Sequence, residues 1–134
     1  MVRIGIVVAE YNSEVTIKMS EIAQEHAKSL GIEVRNLITV PGTFEIPLAV
    51  KKLLLLNEID GVVTLGAVIK GETNHDEVIA NAVARKLLDL SLEYNKPISL
   101  GISGPNMTKR QAIERIESYA KHSVECVLKM MKNI

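Results

Sequence analysis

The chain has 134 residues, 47% hydrophobic and 24% charged, which reads as one ordinary globular domain over residues 1–134. Sixteen Lys and Arg balance sixteen Asp and Glu, so no broad basic face exists to hold a nucleic acid, and any anion must be met locally. Apolar runs reach about four residues where a membrane span needs ~20, and a lone cysteine, Cys126, excludes an intrachain disulfide.

In chain order, Met1-Val2-Arg3-Ile4-Gly5 lacks the apolar run and small-residue cleavage site of a targeting segment, and the cytoplasm is the expected compartment. Ile4 to Ala9 is an apolar strand that ends in Glu10-Tyr11-Asn12. Val15, Met19, Ile22, Ala23, His26, Ala27 and Leu30 then recur at helical spacing, and Gly31 ends that helix. Glu33 to Val40 is the second strand, followed by Pro41-Gly42-Thr43-Phe44-Glu45-Ile46-Pro47 and a short Leu-rich helix over Pro47 to Leu56.

Gly61 to Ala67 is the third strand, and Lys70-Gly71-Glu72-Thr73-Asn74-His75 links it to a helix over Asp76 to Tyr94. Pro97 to Ile102 is the fourth strand, closed by a turn at Ser103-Gly104-Pro105-Asn106. Thr108 and Gln111 have the spacing of a capping box for the last helix, which runs past Met131 with a break expected near Ser118. The near-continuous apolar strands suit burial on both faces. Four β/α units with right-handed crossovers predict an α/β, three-layer, flavodoxin-like sandwich, a four-stranded parallel sheet flanked by helices.

Ligands in such sheets bind beyond the carboxyl ends of the strands, and most residues with chemistry fall there. Gly71 leaves room for backbone N–H groups to approach an anion, and the following helix start adds donors and positive potential, with Thr73 offering a hydroxyl. A plain glycine turn capped by Thr73 satisfies the same pattern. His75 is placed to move protons near neutral pH, or else is a solvated helix-start residue.

Phe44 and Glu45 sit in a proline-bounded loop. Glu45 is either a helix-entry carboxylate or an acceptor for ligand hydroxyls. Arg115 suits a phosphate, or an exposed helix face paired with Glu114 or Gln111. No P-loop, dinucleotide fingerprint or metal-ligand spacing is present, His26 and His122 read as structural or surface, and Cys126 reads as core without an acid–base partner.

In five blocks the chain resembles the lumazine synthase family over nearly its full length. They are Ala9-Glu10-Tyr11-Asn12, Pro41 through Pro47, Gly66 through His75, Gly101-Ile102, and Gln111-Ala112-Ile113-Glu114-Arg115. The resemblance implies a cofactor-free and metal-free condensation of 5-amino-6-(D-ribitylamino)uracil with 3,4-dihydroxy-2-butanone 4-phosphate, giving 6,7-dimethyl-8-ribityllumazine and phosphate. It implies that Tyr11, with Asn12 beside it, meets the pyrimidine, Tyr11 stacking where the family usually has Phe or Trp. Thr43, Phe44 and Glu45 would hold the ribityl chain, and Val68 and Ile69 would border the ring. Gly71, Glu72 and Thr73 would receive the phosphate, and His75 would shuttle protons.

The family's site spans two subunits, so Leu100 and Arg115 would come from a neighbour, to cover the ring and clamp the phosphate. A homopentamer is implied, with a sixty-subunit shell as the larger assembly open to it. Three stretches depart from the family pattern: Asp76 follows His75 where an aromatic residue is frequent, Ser103-Gly104-Pro105-Asn106 replaces a Thr-rich turn, and Glu117 through His122 replaces a Gly/Lys-rich stretch. Rival readings are a riboflavin synthase paralogue of the archaeal type, a flavin- or lumazine-binding module without turnover, and a flavodoxin-like signalling domain.

Overall fold

The four apolar runs are strands in a computed structural model that describes residues 1–134: β1 (Arg3–Ala9), β2 (Glu33–Val40), β3 (Gly61–Ile69) and β4 (Ile98–Met107). They pair in the order β2-β1-β3-β4, every pair parallel. The helices are α1 (Ser13–Ser29), α2 (Ile46–Leu54), α3 (His75–Tyr94), α4 (Lys109–Glu114) and α5 (Ile116–Asn133), with a single 3-10 turn at Thr43–Glu45 ahead of α2. The expected three-layer sandwich is borne out.

The period-2 alternation of strand side chains divides the interior into two cores. Ile4, Ile6 and Val8 of β1, with Val63 and Leu65 of β3, pack against Val15, Met19 and Ala23 of α1 and Ala120 and Val124 of α5. Val7 and Val62 face the other way, onto Ile46, Val50 and Leu53 of α2 and Val83 and Leu87 of α3. Each buried Val, Leu, Ile or Met side chain among them contributes about 1.5–3 kcal/mol. Leu53 of α2 packs closely over Gly5, its Cδ1 2.5 Å from where a Cβ would stand.

Burial on both faces holds for β1 and β3 but not for β2, where Arg35, Leu37 and Thr39 are exposed. As an edge strand, β2 is covered on one side only, which its polar residues tolerate. β4 is longer than expected. Ser103 pairs with Ala67 and Met107 with Ile69, so the turn expected at 103–106 is a bulge inside the strand, with Gly104 (φ 104°) and Asn106 (φ 58°) taking up the extra residues.

The capping box at the last helix forms as predicted, Gln111 N–H to Thr108 Oγ1 at 3.2 Å and Thr108 N–H to Gln111 Oε1 at 2.9 Å. The helix breaks at Arg115 rather than at Ser118. Ser118 serves the break instead, its hydroxyl donating to the Arg115 carbonyl at 3.3 Å. Cys126 is half-buried rather than core, with its Sγ 3.2 Å from His122 Nε2. No helix is long and apolar enough to cross a membrane.

Candidate active site

The carboxyl ends of β1 and β3 meet the head of α3 and the 3-10 turn around a cavity of about 560 Å³. Past the end of β1 the pairing with β2 continues through Glu10 N–H to Val40 O at 2.7 Å and Tyr11 N–H to Pro41 O at 3.0 Å. Those bonds set Tyr11 beside the segment carrying Phe44. Both aromatics line the cavity and stay open to solvent, Tyr11 at 73% and Phe44 at 65% exposure, in a chain with one Phe, three Tyr and no Trp. Large exposed aromatic faces at a cavity mouth are suited to stacking on a planar ring.

Asn12 also lines the cavity but spends its side-chain N–H on the Ala67 carbonyl at 2.8 Å, and its left-handed backbone (φ 64°) starts α1. Thr43 is buried at the base of the turn, while Val68 and Ile69 form the apolar floor. The wall opposite is Gly71, Thr73 and His75. The backbone N–H groups of Gly71, Glu72, Thr73 and Asn74 make no hydrogen bond within the chain, and the space a Gly71 Cβ would occupy is empty. Free donors at the N-terminus of a 20-residue helix make an anion cradle. Thr73 Oγ1 accepts the His75 N–H at 3.3 Å, which holds His75 at the first position of α3 with its side chain exposed to the cavity.

Glu45, Glu72, Leu100 and Arg115 are not part of the lining. Glu45 is exposed and unpaired at the rim, its carboxylate folded towards Gly42, which does line the cavity. Glu72 points to solvent. Leu100 lies on the edge strand β4 with 55% of its surface exposed. Arg115, at the joint between α4 and α5, meets no carboxylate; its Nη1 donates to the Gln111 carbonyl at 3.3 Å, and Glu114 pairs with Arg110 instead.

Sequence reasoning missed Gly42, Ala67, Lys70, Asp76 and Ile79 as lining residues. Ile79 was discoverable, since it stands one helical turn after His75. Lys70 is the one lysine or arginine on the lining and Asp76 the one carboxylate. Asp76 is buried (7% exposed), and its Oδ2 accepts the Asn106 N–H at 2.8 Å.

The profile of the family described as 6,7-dimethyl-8-ribityllumazine synthase matches residues 1–134, the whole chain. The chain belongs to that family. Relatives bearing that name include one from Metallosphaera sedula, 61% identical over 99% of this chain and 88% of its own length. Others are from Picrophilus torridus, at 57% over 98% and 96%, and Methanocaldococcus jannaschii, at 52% over 100% and 94%. Identity at that level over nearly the full length of both partners covers every segment that builds the cavity.

Proposed function

We propose that the chain joins 5-amino-6-(D-ribitylamino)uracil to 3,4-dihydroxy-2-butanone 4-phosphate, releasing phosphate and two waters and forming 6,7-dimethyl-8-ribityllumazine. The observation that carries this reading is one cavity holding an exposed aromatic pair, a row of unpaired backbone N–H groups and an imidazole. Tyr11 stacks on the pyrimidine, Thr43, Phe44 and the unpaired Glu45 take the ribityl hydroxyls and chain, and Val68 and Ile69 border the ring. The Gly71–Thr73 segment receives the phosphate through its N–H groups, aided by the head of α3.

The steps are imine formation between the 5-amino group and the ketone, loss of phosphate, attack by the ribitylamino nitrogen, and dehydration. Holding amine and ketone together supplies most of the acceleration. His75 relays the protons that leave carbon and nitrogen and those that water departure requires, a contribution of about 10²–10⁴ where the geometry is good. No cofactor is required for any of these bond changes.

The reading extends to a homo-oligomer. Phe44 of the 3-10 turn, Leu48 of α2 and Leu55 just past its end are exposed, as are Val78, Leu88 and Leu92 on α3 and Leu100 on β4. Two different apolar surfaces on one chain suit head-to-tail contact, which closes into a ring. In such a ring Leu100 and Arg115 reach the cavity of the adjoining protomer, and five copies is the number the family resemblance implies. We place the enzyme in the cytoplasm.

The test is direct: purified protein is mixed with the two substrates and the lumazine is followed by its absorbance. Turnover above the uncatalysed rate is expected, falling on the order of ten- to a thousand-fold in His75→Ala. A wild-type protein that only matches the background rate overturns the reading.

A further inference from the structure

Asp76, on the cavity lining, is in contact with the β4 bulge. Asp76, in the first turn of α3, and Asn106, in the bulge of β4, are 30 residues apart in sequence and joined by the 2.8 Å bond from the Asn106 N–H to Asp76 Oδ2. Asp76 is buried, borders the cavity, and directly follows His75.

The bulge it holds has little freedom of its own. Asn106 is in the left-handed region, and Gly104 (φ 104°) lies so close to the Val68 carbonyl that no Cβ would fit. Beyond it, Lys70 N–H donates to Met107 O at 2.8 Å, closing the β3–β4 ladder directly below the Gly71 loop. The bulge thus backs the Val68–Lys70 floor, and Asp76 is the side chain that fastens the head of α3 to it. Beside the packing of α3 on the sheet, the other hydrogen bonds of its first turn are local: His75 N–H to Thr73 Oγ1 at 3.3 Å, and the Glu77 and Val78 N–H groups to Asn74 O at 3.1 and 3.2 Å. A charge-assisted bond in a buried setting is the strongest of these ties, and a carboxylate in the first turn of a helix is favoured by the dipole.

We propose that Asp76 is a positioning residue for the condensation: by fastening α3 to the β4 bulge it fixes His75 relative to the pocket floor and the anion cradle. The assignment rests on the enzymatic reading above. It also gives a reason for an acid in a place that faces an incoming phosphate, where charge alone would count against it. The carboxylate is occupied by a backbone donor, and its task is geometric.

Three substitutions separate geometry from charge and from folding. Asp76→Asn keeps an acceptor oxygen at the same reach and removes the charge. Asp76→Glu keeps the charge but moves the acceptor by one methylene. Asp76→Ala removes both. Each is assayed well below its melting temperature, with near-ultraviolet circular dichroism to establish the folded state and the wild type measured alongside.

Misplacing a catalytic group by about 1 Å costs on the order of a hundredfold. The folded Ala and Glu variants are therefore expected to lose about ten- to a hundredfold in kcat, with KM for the phosphate substrate changed by less than about threefold, and Asn to keep kcat within about threefold of wild type. A folded Ala variant, or a Glu variant where Ala does not fold, turning over at the wild-type rate overturns the proposal. So does an Asn variant as slow as Ala, since the charge rather than the tie would then be responsible. An inactive wild type would instead defeat the enzymatic reading, so the two failures are distinguishable.

Discussion

The side-chain amide of Asn12 donates to the backbone carbonyl of Ala67 at 2.8 Å, tying the start of α1 to β3 beside the cavity. Asn12 also carries a left-handed backbone, which asparagine tolerates better than most residues. Asn12→Ala loses both advantages and is expected to destabilise the protein by about 2 kcal/mol, roughly half from the hydrogen bond and half from the backbone. Asn12→Gly removes only the hydrogen bond and should fall between Ala and wild type in urea melts at matched protein concentration. An alanine variant as stable as the wild type would shift the amide from scaffold to substrate contact.

Arg115 stands outside its own protomer's cavity with its guanidinium bonded only to a backbone carbonyl. If it serves a neighbour, Arg115→Ala raises KM for the butanone phosphate by about ten- to a hundredfold, the value of one charge-assisted phosphate contact. It should leave the native mass unchanged. Mixing Arg115→Ala with His75→Ala and allowing subunits to exchange should then restore activity, because about a quarter of the sites in a 1:1 random ring draw both residues intact. Mixtures no more active than the separate variants would confine each site to one chain.

The exposed leucines on α2 and α3 give a separate handle on assembly. Leu48 is 66% exposed and Leu88 62%, and neither touches the cavity. A buried, unpaired carboxylate costs several kcal/mol, so Leu48→Glu or Leu88→Glu should shift the protein towards single chains in light scattering. Activity should fall together with the mass. Unchanged mass in both variants would place the interface elsewhere.

Asp60 offers a pH-dependent readout of stability. Burial acts to raise its carboxyl pKa, but the Arg3 N–H at 2.8 Å, the Arg3 guanidinium and the charge of Lys96 outweigh burial and hold it below the ordinary aspartate value. A carboxyl group with a lowered pKa in the folded state adds stability above its unfolded pKa and loses it as pH falls through the folded one. Asp60→Asn should therefore be about 1 kcal/mol less stable than wild type near pH 7. The gap should close as the pH falls below the ordinary aspartate range. Thermal melts at both ends of that range check it, and a constant gap would show that lost packing is responsible.

Much of this was readable in the residues because strand and helix periods are carried by the same few apolar side chains that form the cores. Ile4, Ile6 and Val8 alternate with Val7, and that alternation alone implies two packed layers. The capping box at Thr108 was legible because both of its bonds are local. The β4 bulge was not: Ser-Gly-Pro-Asn reads as a turn, and only the long-range partners Ala67, Ile69 and Asp76 keep it within the sheet. The helix break moved from Ser118 to Arg115 for the same reason, since sequence marks a weak point but tertiary anchoring of Ala112 and Ile116 selects the joint. Tyr11, Phe44 and His75 stood out by residue type at the strand ends, and the family resemblance supplied their roles. Lys70 and Asp76 were passed over because a lysine before glycine and an acid at a helix start are commonplace until a cavity is seen beside them.

The layer between the sheet and the α1–α5 pair meets the cavity through Ala67 and Ile69 of β3, and the rest of it can be tuned apart from the site. Met19, Val124 and Val127 lie in the layer between the sheet and the α1–α5 pair, and none of them borders the cavity. Heat tolerance can therefore be raised or lowered by repacking that seam while the catalytic side of the protein keeps its shape. Sequence drift has room there to adjust the melting point without renegotiating the chemistry.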